Sequence, residues 1–386
     1  MLPGRLAEAL QGGPLPFAAY VELALYDPDT GFYAGPGRAG RGGDFLTSPE
    51  VGPLFGALIA RYLDAEWEAL GRPDPFVVLE VGAGPGTLAR TVRVAEPACG
   101  PSLVYVLVEL SAAQRARHAE HLPGWVGERE GSALALLLGT AREGSGPVFA
   151  SAATVPTGAV TGAVLANELL DNLPFDVVRL VAGGAEQLVV VLDADGSPTL
   201  AAAPAAPEVA ARLEALAVPE RRWVPWQERA RAWVADALAL LRAGRLLVLD
   251  YGATTASLAE RAEMGWLRTY RAHELGGHPL DDPGGQDITS DVAIDQVQAG
   301  QPATRVLAQA ELLEQLGIEG LVAEGRRLWQ ERAHAPDLEA IKGRSRVREA
   351  EALTDRSGLG DFRVLEWVVG PSARTPDGAA ASGAGR

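Results

Sequence analysis

The sequence predicts an α/β fold in which a mostly parallel sheet carries helices on both faces. Three observations lead there. Short, almost wholly apolar runs alternate with stretches of helical periodicity. The first of these runs empties into a glycine loop that opens a helix, and the second ends on a carboxylate. At 386 residues with 47% hydrophobic and 22% charged side chains, the chain is long enough for a core enlarged by accessory segments.

Taken in order, residues 17–26 have apolar side chains at helical spacing and stop at Asp27-Pro28. The glycines between Gly31 and Gly43 make a loop. Thr47-Ser-Pro-Glu50 then reads as a capping box opening one helix to about Leu70, which Gly71-Arg-Pro73 terminates. Buried strands are expected at 76–81, 103–109, near 147–150, at 163–166 and at 245–250, with helices at 87–95 and from 111 to about 121. Residues 128–146 fit neither pattern. The runs 175–181 and 187–192, joined through Gly183-Gly184, read as a β-hairpin. Between 257 and 294 the Gly/Pro/Asp-rich chain shows little periodicity and is expected to be a long functional loop. Helical patterns near 311–330 and 337–352 and a strand at 362–369 close the fold. The tail 371–386 is expected to be disordered.

Composition excludes several classes of function. A formal net charge of −16 argues against a sequence-independent grip on nucleic acid and against docking on an anionic membrane. Cys99 is the only cysteine, so neither an intrachain disulfide nor a thiolate zinc cluster can form. The five histidines lack metal-ligand spacing, and no Gly-x-Ser-x-Gly elbow supports a hydrolase. Without a basic-then-apolar leader or an apolar run of about 18 residues, a cytoplasmic protein is expected.

The informative motif is Gly82-Ala83-Gly84-Pro85-Gly86, directly after a strand and opening a helix. A dinucleotide fingerprint needs its third glycine at position 87, where Thr87 stands. The spacing fits S-adenosyl-L-methionine (SAM), which has no phosphate and asks only for close backbone approach. Glu80, near the end of the strand before the loop, could meet the cationic amino group. Glu109, closing the second strand before Leu110, is placed to accept the ribose hydroxyls. After the fourth strand come Asn167, Glu168 and Asp171, which should face the cofactor or the methyl acceptor, although Asn167 or Glu168 could equally cap a helix. Asp250-Tyr-Gly252 ends the fifth strand beside the same crevice. Asp44 stands in Gly40–Glu50, which reads as a lid or substrate gate. The carboxylates of the 282–289 run line a pocket or sit on a solvated turn.

Taken together, these stretches resemble the MidA-like family of class I SAM-dependent methyltransferases, which includes the mitochondrial complex I assembly factor. The matching runs are 17–28, Gly42-Gly-Asp-Phe-Leu-Thr-Ser-Pro-Glu50, 79–88, Val108-Glu-Leu-Ser111, Ala166-Asn-Glu-Leu-Leu-Asp171, Asp250-Tyr-Gly252 and Asp282-Pro-Gly-Gly-Gln-Asp-Ile-Thr289. Departures are Gly-Ala-Gly-Pro-Gly where members often carry Gly-Pro-Gly-Arg-Gly, and the lack of an aromatic after the Asp-Ile-Thr run. The resemblance implies a Rossmann-like class I methyltransferase sheet with an N-terminal helical extension and an inserted hairpin. It implies SAM bound by Glu80, Gly82, Ala83, Gly84, Gly86, Glu109, Leu110 and Asn167, with Glu168, Asp171 and Asp44 as catalytic candidates and no metal. The expected divisions are 1–72 (extension with lid), 73–173 and 244–370 (the two parts of the core, the second with an acceptor-site loop at 252–294), 174–243 (insertion) and 371–386 (tail).

The expected acceptor is a protein or peptide, with arginine implied by the mitochondrial branch. A small-molecule acceptor and a non-catalytic assembly factor remain as alternatives. No nucleic acid or membrane partner is expected, and a homodimer is left open.

Overall fold

A computed structural model describes residues 2–34, 47–120, 122, 124–139, 144–271 and 274–370. The strands of its central sheet are β1 (Phe76–Val81), β2 (Leu103–Val108), β3 (Trp125–Glu128), β4 (Val148–Ala152), β5 (Val160–Asn167), β6 (Leu241–Asp250), β7 (Arg305–Ala308) and β8 (Arg363–Val369). Their order across the sheet is β7-β8-β6-β5-β1-β2-β4-β3. The six strands β1 to β6 run parallel. Strand β8 pairs antiparallel with β6, and β7 antiparallel with β8.

The almost wholly apolar composition of β1 and β2 follows from this architecture. Successive side chains of a strand point to opposite faces, so both sets are buried only when helices cover both sides. Phe76 and Val78 with Leu103, Tyr105 and Leu107 enter one core, which helices Pro53–Ala69 and Thr87–Val94 cover. The intervening Val77, Leu79, Val104, Val106 and Val108 enter the other, against Ala230, Val234 and Ala237 of helix Glu228–Ala239.

A second lobe is assembled from three distant segments. Strands Asp176–Val181 and Gly184–Leu192 form the expected hairpin, which Pro198–Pro204, Val224–Trp226 and the short Leu15–Pro16 extend to a five-stranded antiparallel sheet. Helix Phe17–Tyr26 packs onto it, burying Phe17, Tyr20, Val21 and Leu25 beside Phe175, Val177 and Val190.

Several expectations are corrected. The stretch between 257 and 294 is not a structureless loop. Leu267–Arg271 pairs antiparallel with both Glu274–Leu275 and Asp287–Ser290, and Trp266, Leu280 and Ile288 are buried in the second lobe. Strands this short with mixed composition leave almost no period-two signal, and their apolar residues are buried only by packing in the second lobe, against the N-terminal helix and the hairpin.

The single helix expected from Thr47 breaks at Gly52-Pro53, giving Ser48–Val51 and Pro53–Ala69. Proline lacks the donor and disfavours helical backbone in the residue before it. The new helix start is satisfied by the Glu349 carboxylate, which accepts from Leu54 N at 2.9 Å. A Cβ on Gly52 would stand 2.3 Å from that carboxyl carbon, so a larger residue there would displace the Glu349 carboxylate. Nor does the Thr47–Glu50 capping box form: Thr47 makes no side-chain cap, and Glu50 instead accepts from Thr87 Oγ1 at 2.9 Å. Helix Gly131–Gly139 occupies much of the stretch that fitted neither pattern, and β3 ends at its first residue, Glu128. Asp44, with the rest of the loop at 40–46, and the tail 371–386 lie outside the described residues.

One buried ionic group ties the sheet to its covering helix. Arg245 of β6 lies between Glu66 of helix Pro53–Ala69 and Glu366 of β8, the guanidinium reaching Glu366 Oε1 at 2.8 Å. Tyr62 donates to the same Glu366 oxygen at 2.8 Å. All three charged side chains are almost fully buried, so removing one strands the others in a medium that cannot solvate them. Arg245→Leu should therefore cost about 3–5 kcal/mol in a denaturant titration. The triple variant with Glu66→Leu and Glu366→Leu should recover most of that loss.

Candidate functional site

Strands β1, β2, β5 and β6 end on one side of the sheet, and the strand order reverses between β5 and β1, where open α/β sheets form their ligand crevice. The glycine loop leaves β1 there. Gly82, Gly84 and Gly86 adopt φ values of +72°, +52° and +82°, conformations that side-chain-bearing residues rarely reach. Added Cβ atoms would come within 2.9 Å of Leu169 Cδ1 at Gly82 and of Leu107 Cδ2 at Gly86. The loop is pinned to β2: Gly82 N and Ala83 N donate to Val108 O at 2.9 and 3.2 Å, and Gly84 N donates to Glu109 Oε2 at 2.9 Å. Glu109 Oε1 takes Ser111 N at 2.8 Å, so one carboxylate holds both the loop and the next helix start.

A cavity of about 630 Å³ opens over this loop. Of the residues expected around a cofactor, Glu80, Gly82, Ala83, Gly84, Glu109, Leu110 and Asn167 line it; Leu110 is exposed near its mouth. Gly86 does not line it and instead lets the helix start pass close to β2. Glu80 is buried and accepts from Tyr105 Oη at 2.7 Å; burial pushes its carboxyl up to about 8. Glu109 is raised for the same reason, although the amides of Ser111 and Gly84 pull the other way. Asn167 Oδ1 is buried and has no hydrogen-bond partner among the described residues. The donor and acceptor set fits SAM: backbone at close approach, carboxylates for an ammonium and for hydroxyls, and an unfilled amide oxygen.

A second cavity, of about 440 Å³, lies next to the first, and Glu168 borders both. Its other walls include Asp171, Tyr251, Arg268, Thr289 and Asp291. Glu168 has φ +52° without being glycine, a strained backbone of the kind that clusters at functional sites. Its Oε1 takes hydrogen bonds from Ser48 N at 3.2 Å and Asn167 Nδ2 at 3.0 Å. Burial and the neighbouring Asp171 charge push its carboxyl up to about 8. Asp171 is buried, receives the Tyr251 hydroxyl on Oδ2, and is raised to about 6, again by burial. Asp250 does not face the crevice as a free group; it caps the turn after β5, accepting Leu170 N and Tyr251 N, both at 2.9 Å.

Sequence reasoning missed the aromatic wall that the second lobe contributes. Tyr26 and Tyr33 stack with centroids 5.5 Å apart and line the first cavity. Tyr26 donates to Asn172 O at 3.2 Å and Tyr33 to Asp287 Oδ1 at 3.1 Å. Asp287, expected on a pocket wall or a solvated turn, is buried beneath them, and burial raises it to about 7. Helical spacing foretold that residues 17–26 would be amphipathic, but nothing in it indicated which surface their last turn would meet.

Residues 58–308 match a family model described as "Putative S-adenosyl-L-methionine-dependent methyltransferase". A curated relative from Drosophila melanogaster, the mitochondrial protein arginine methyltransferase NDUFAF7 homolog, is 29% identical over 94% of this chain and 84% of its own length. The mitochondrial protein arginine methyltransferase NDUFAF7 of Mus musculus is 30% identical over 72% of this chain and 64% of its own. A Burkholderia thailandensis crystal structure bound to S-adenosyl-homocysteine superposes with a TM-score of 0.75, at 29% identity over 95% of this chain and 94% of that one. These findings bear out SAM as the cofactor and the Rossmann-like methyltransferase sheet. The expectation of a cytoplasmic protein is overturned, because the curated relatives are mitochondrial. Among the described residues no helix is long and apolar enough to cross a membrane.

Two measurements probe this geometry. Gly82→Ala, which must hold a left-handed conformation against Leu169, should weaken SAM binding about tenfold in calorimetry. Glu80 and Glu168 ionise near 4.5 when unfolded but only near 8 when folded. The stability these protonated carboxyls contribute is therefore lost as pH rises through the folded value. The melting temperature of the ligand-free protein should fall from about pH 5 to about pH 8.5, and Glu168→Gln should flatten that slope.

Proposed function

Given that the chain belongs to the MidA-like family of SAM-dependent methyltransferases, we propose that it methylates an arginine guanidinium in a protein or peptide, with Glu168 as the residue that meets both substrates. The observation that carries this reading is the position of Glu168 on the wall shared by the two cavities. The relatives named as protein arginine methyltransferases supply the acceptor class.

The electrostatics favour a cationic acceptor. Asp171, Glu168, Asp250 and Asp287 are enclosed together, and burial raises every one of them. Arg268 is the cation that bears on Asp171 from within the second cavity, where it also pairs with Asp291. Carboxyls held protonated for want of counter-charge ionise when a cation arrives, so a guanidinium entering here gains paired hydrogen bonds to newly charged acceptors.

SAM, when bound, supplies a methyl group on a sulfonium, and its transfer is an in-line displacement dominated by positioning. Glu80, Glu109 and Asn167 orient the cofactor with the backbone of Gly82, Ala83 and Gly84. Glu168 and Asp171 align the guanidinium, whose pKa above 12 means that it arrives protonated. Glu168, at a value near neutrality, takes the proton that the attacking nitrogen releases. Ser48 N and Asn167 Nδ2 hold that carboxyl in place. Asp44, outside the described residues, is the third catalytic candidate. We assign 73–173 and 244–370 to the catalytic core, with 1–72 as its N-terminal extension, 174–243 as its insertion, and the 252–294 stretch of the core as the acceptor site.

The experiment is incubation with methyl-labelled SAM and a protein lysate, followed by hydrolysis and amino-acid analysis. Label in methylarginine is expected; label in lysine, in carboxyl esters or only in small molecules would overturn the acceptor class. On the labelled acceptor, Glu168→Gln should lower kcat at least about a hundredfold, the range for losing a general base, with SAM affinity within about threefold of the parent.

A further inference from the structure

His118 closes helix Ala112–His118 and has no place in the chemistry above, yet it is 1% exposed and fully hydrogen-bonded. Its Nε2 lies 2.7 Å from the carbonyl oxygen of Gly84, and its Nδ1 lies 2.8 Å from Ser151 Oγ. The ring also stands edge-on to Trp125, with centroids 6.1 Å apart.

We propose that His118 is a positioning residue for SAM binding: neutral and protonated on Nε2, it fixes the Gly84 peptide of the cofactor loop, and Ser151 selects that tautomer. The assignment follows from donor and acceptor inventory. A carbonyl oxygen can only accept, so Nε2 must carry the hydrogen, and Nδ1 of a neutral ring must then accept. Ser151, wholly buried on β4, has a hydroxyl to give and no other side-chain partner among the described residues. Burial also lowers the imidazole pKa, against the pull of the Gly84 carbonyl and Glu128, while Arg115 and Arg117 act with burial. The ring is therefore neutral at physiological pH.

Gly84 needs such a device. It stands at φ +52° with nothing within 4 Å of where a Cβ would be, so packing does not hold it. Its N–H is tied to Glu109 and its carbonyl to His118, on either side of a residue that lines the first cavity. Loss of the second tie frees a glycine backbone that SAM must then order at its own expense in affinity. His118 does not line the cavity, so it acts through the loop and not on the ligand. This inference is independent of the acceptor assignment.

The test uses the full chain with SAM and S-adenosyl-homocysteine as probes. Nitrogen-15 NMR of the histidine ring should show the neutral Nε2-protonated tautomer in the parent and a tautomer mixture in Ser151→Ala. Calorimetry should show SAM binding about tenfold weaker in His118→Phe, the scale of one lost hydrogen bond, and about threefold weaker in Ser151→Ala. His118→Gln, which can donate to Gly84 and accept from Ser151, should bind within about threefold of the parent. Turnover of Ser151→Ala at saturating SAM should stay within about twofold of the parent, placing the effect on KM. An Nδ1-protonated parent ring, or SAM affinity in His118→Phe within twofold of the parent, would overturn the proposal, as would a glutamine variant no better than phenylalanine. Should His118→Phe fail to fold, the parent tautomer and the Ser151→Ala affinity decide.

Discussion

The molecule is organised around a crevice that holds more buried carboxylate than its cations can balance. Glu80, Glu109, Glu168, Asp171, Asp250 and Asp287 come together where the strands end, and burial raises the pKa of each. Such a cluster costs free energy in the ligand-free fold, and the rest of the structure is arranged to bear that cost. The two-faced core below supplies the burial energy, and the Arg245 group fastens sheet to helix. In the proposed reaction, the SAM sulfonium and the acceptor guanidinium are the cations that relieve this deficit.

The second lobe has its meaning in the same terms. The N-terminal helix, the inserted sheet and the strands around Asp287 share one apolar cluster, so their placement is cooperative. Tyr26 and Tyr33 reach the first cavity, with Asp287 buried beneath them, because that cluster exists. Keeping water from the carboxyls raises their pKa, that of Glu168 to about 8 and that of Asp171 to about 6, where a group can both accept and release a proton.

A short segment connects the parts that must act together. Ser48 N contacts the Glu168 carboxyl, Ser48 Oγ donates to Gln309, and Glu50 receives Thr87 from the helix that the glycine loop opens. Cofactor loop, carboxylate at the junction and C-terminal helices thus converge on three residues. The broken helix at Gly52-Pro53 frees this turn to face the crevice.

The parts of the protein that depend on neighbours in the chain were readable from its sequence. Strand β1, its glycine loop and the Glu109 that ends β2 are local patterns, since a left-handed turn demands glycine wherever it occurs. The same holds for the alternation of buried strands and helices, and with it for the fold class and SAM. The partners that these groups find across the fold were not readable. The Glu50 carboxyl looked like a cap for its own helix and instead binds Thr87. The 257–294 stretch looked featureless because its strands find their apolar partners in distant segments, Phe17–Tyr26 and the inserted hairpin. His118 looked idle because Gly84 and Ser151 lie 34 and 33 residues away along the chain. Short-range periodicity records which face of an element is apolar, whereas hydrogen-bond partners, pKa values and the junction at Glu168 arise from burial between distant segments. Only the tertiary structure decides those.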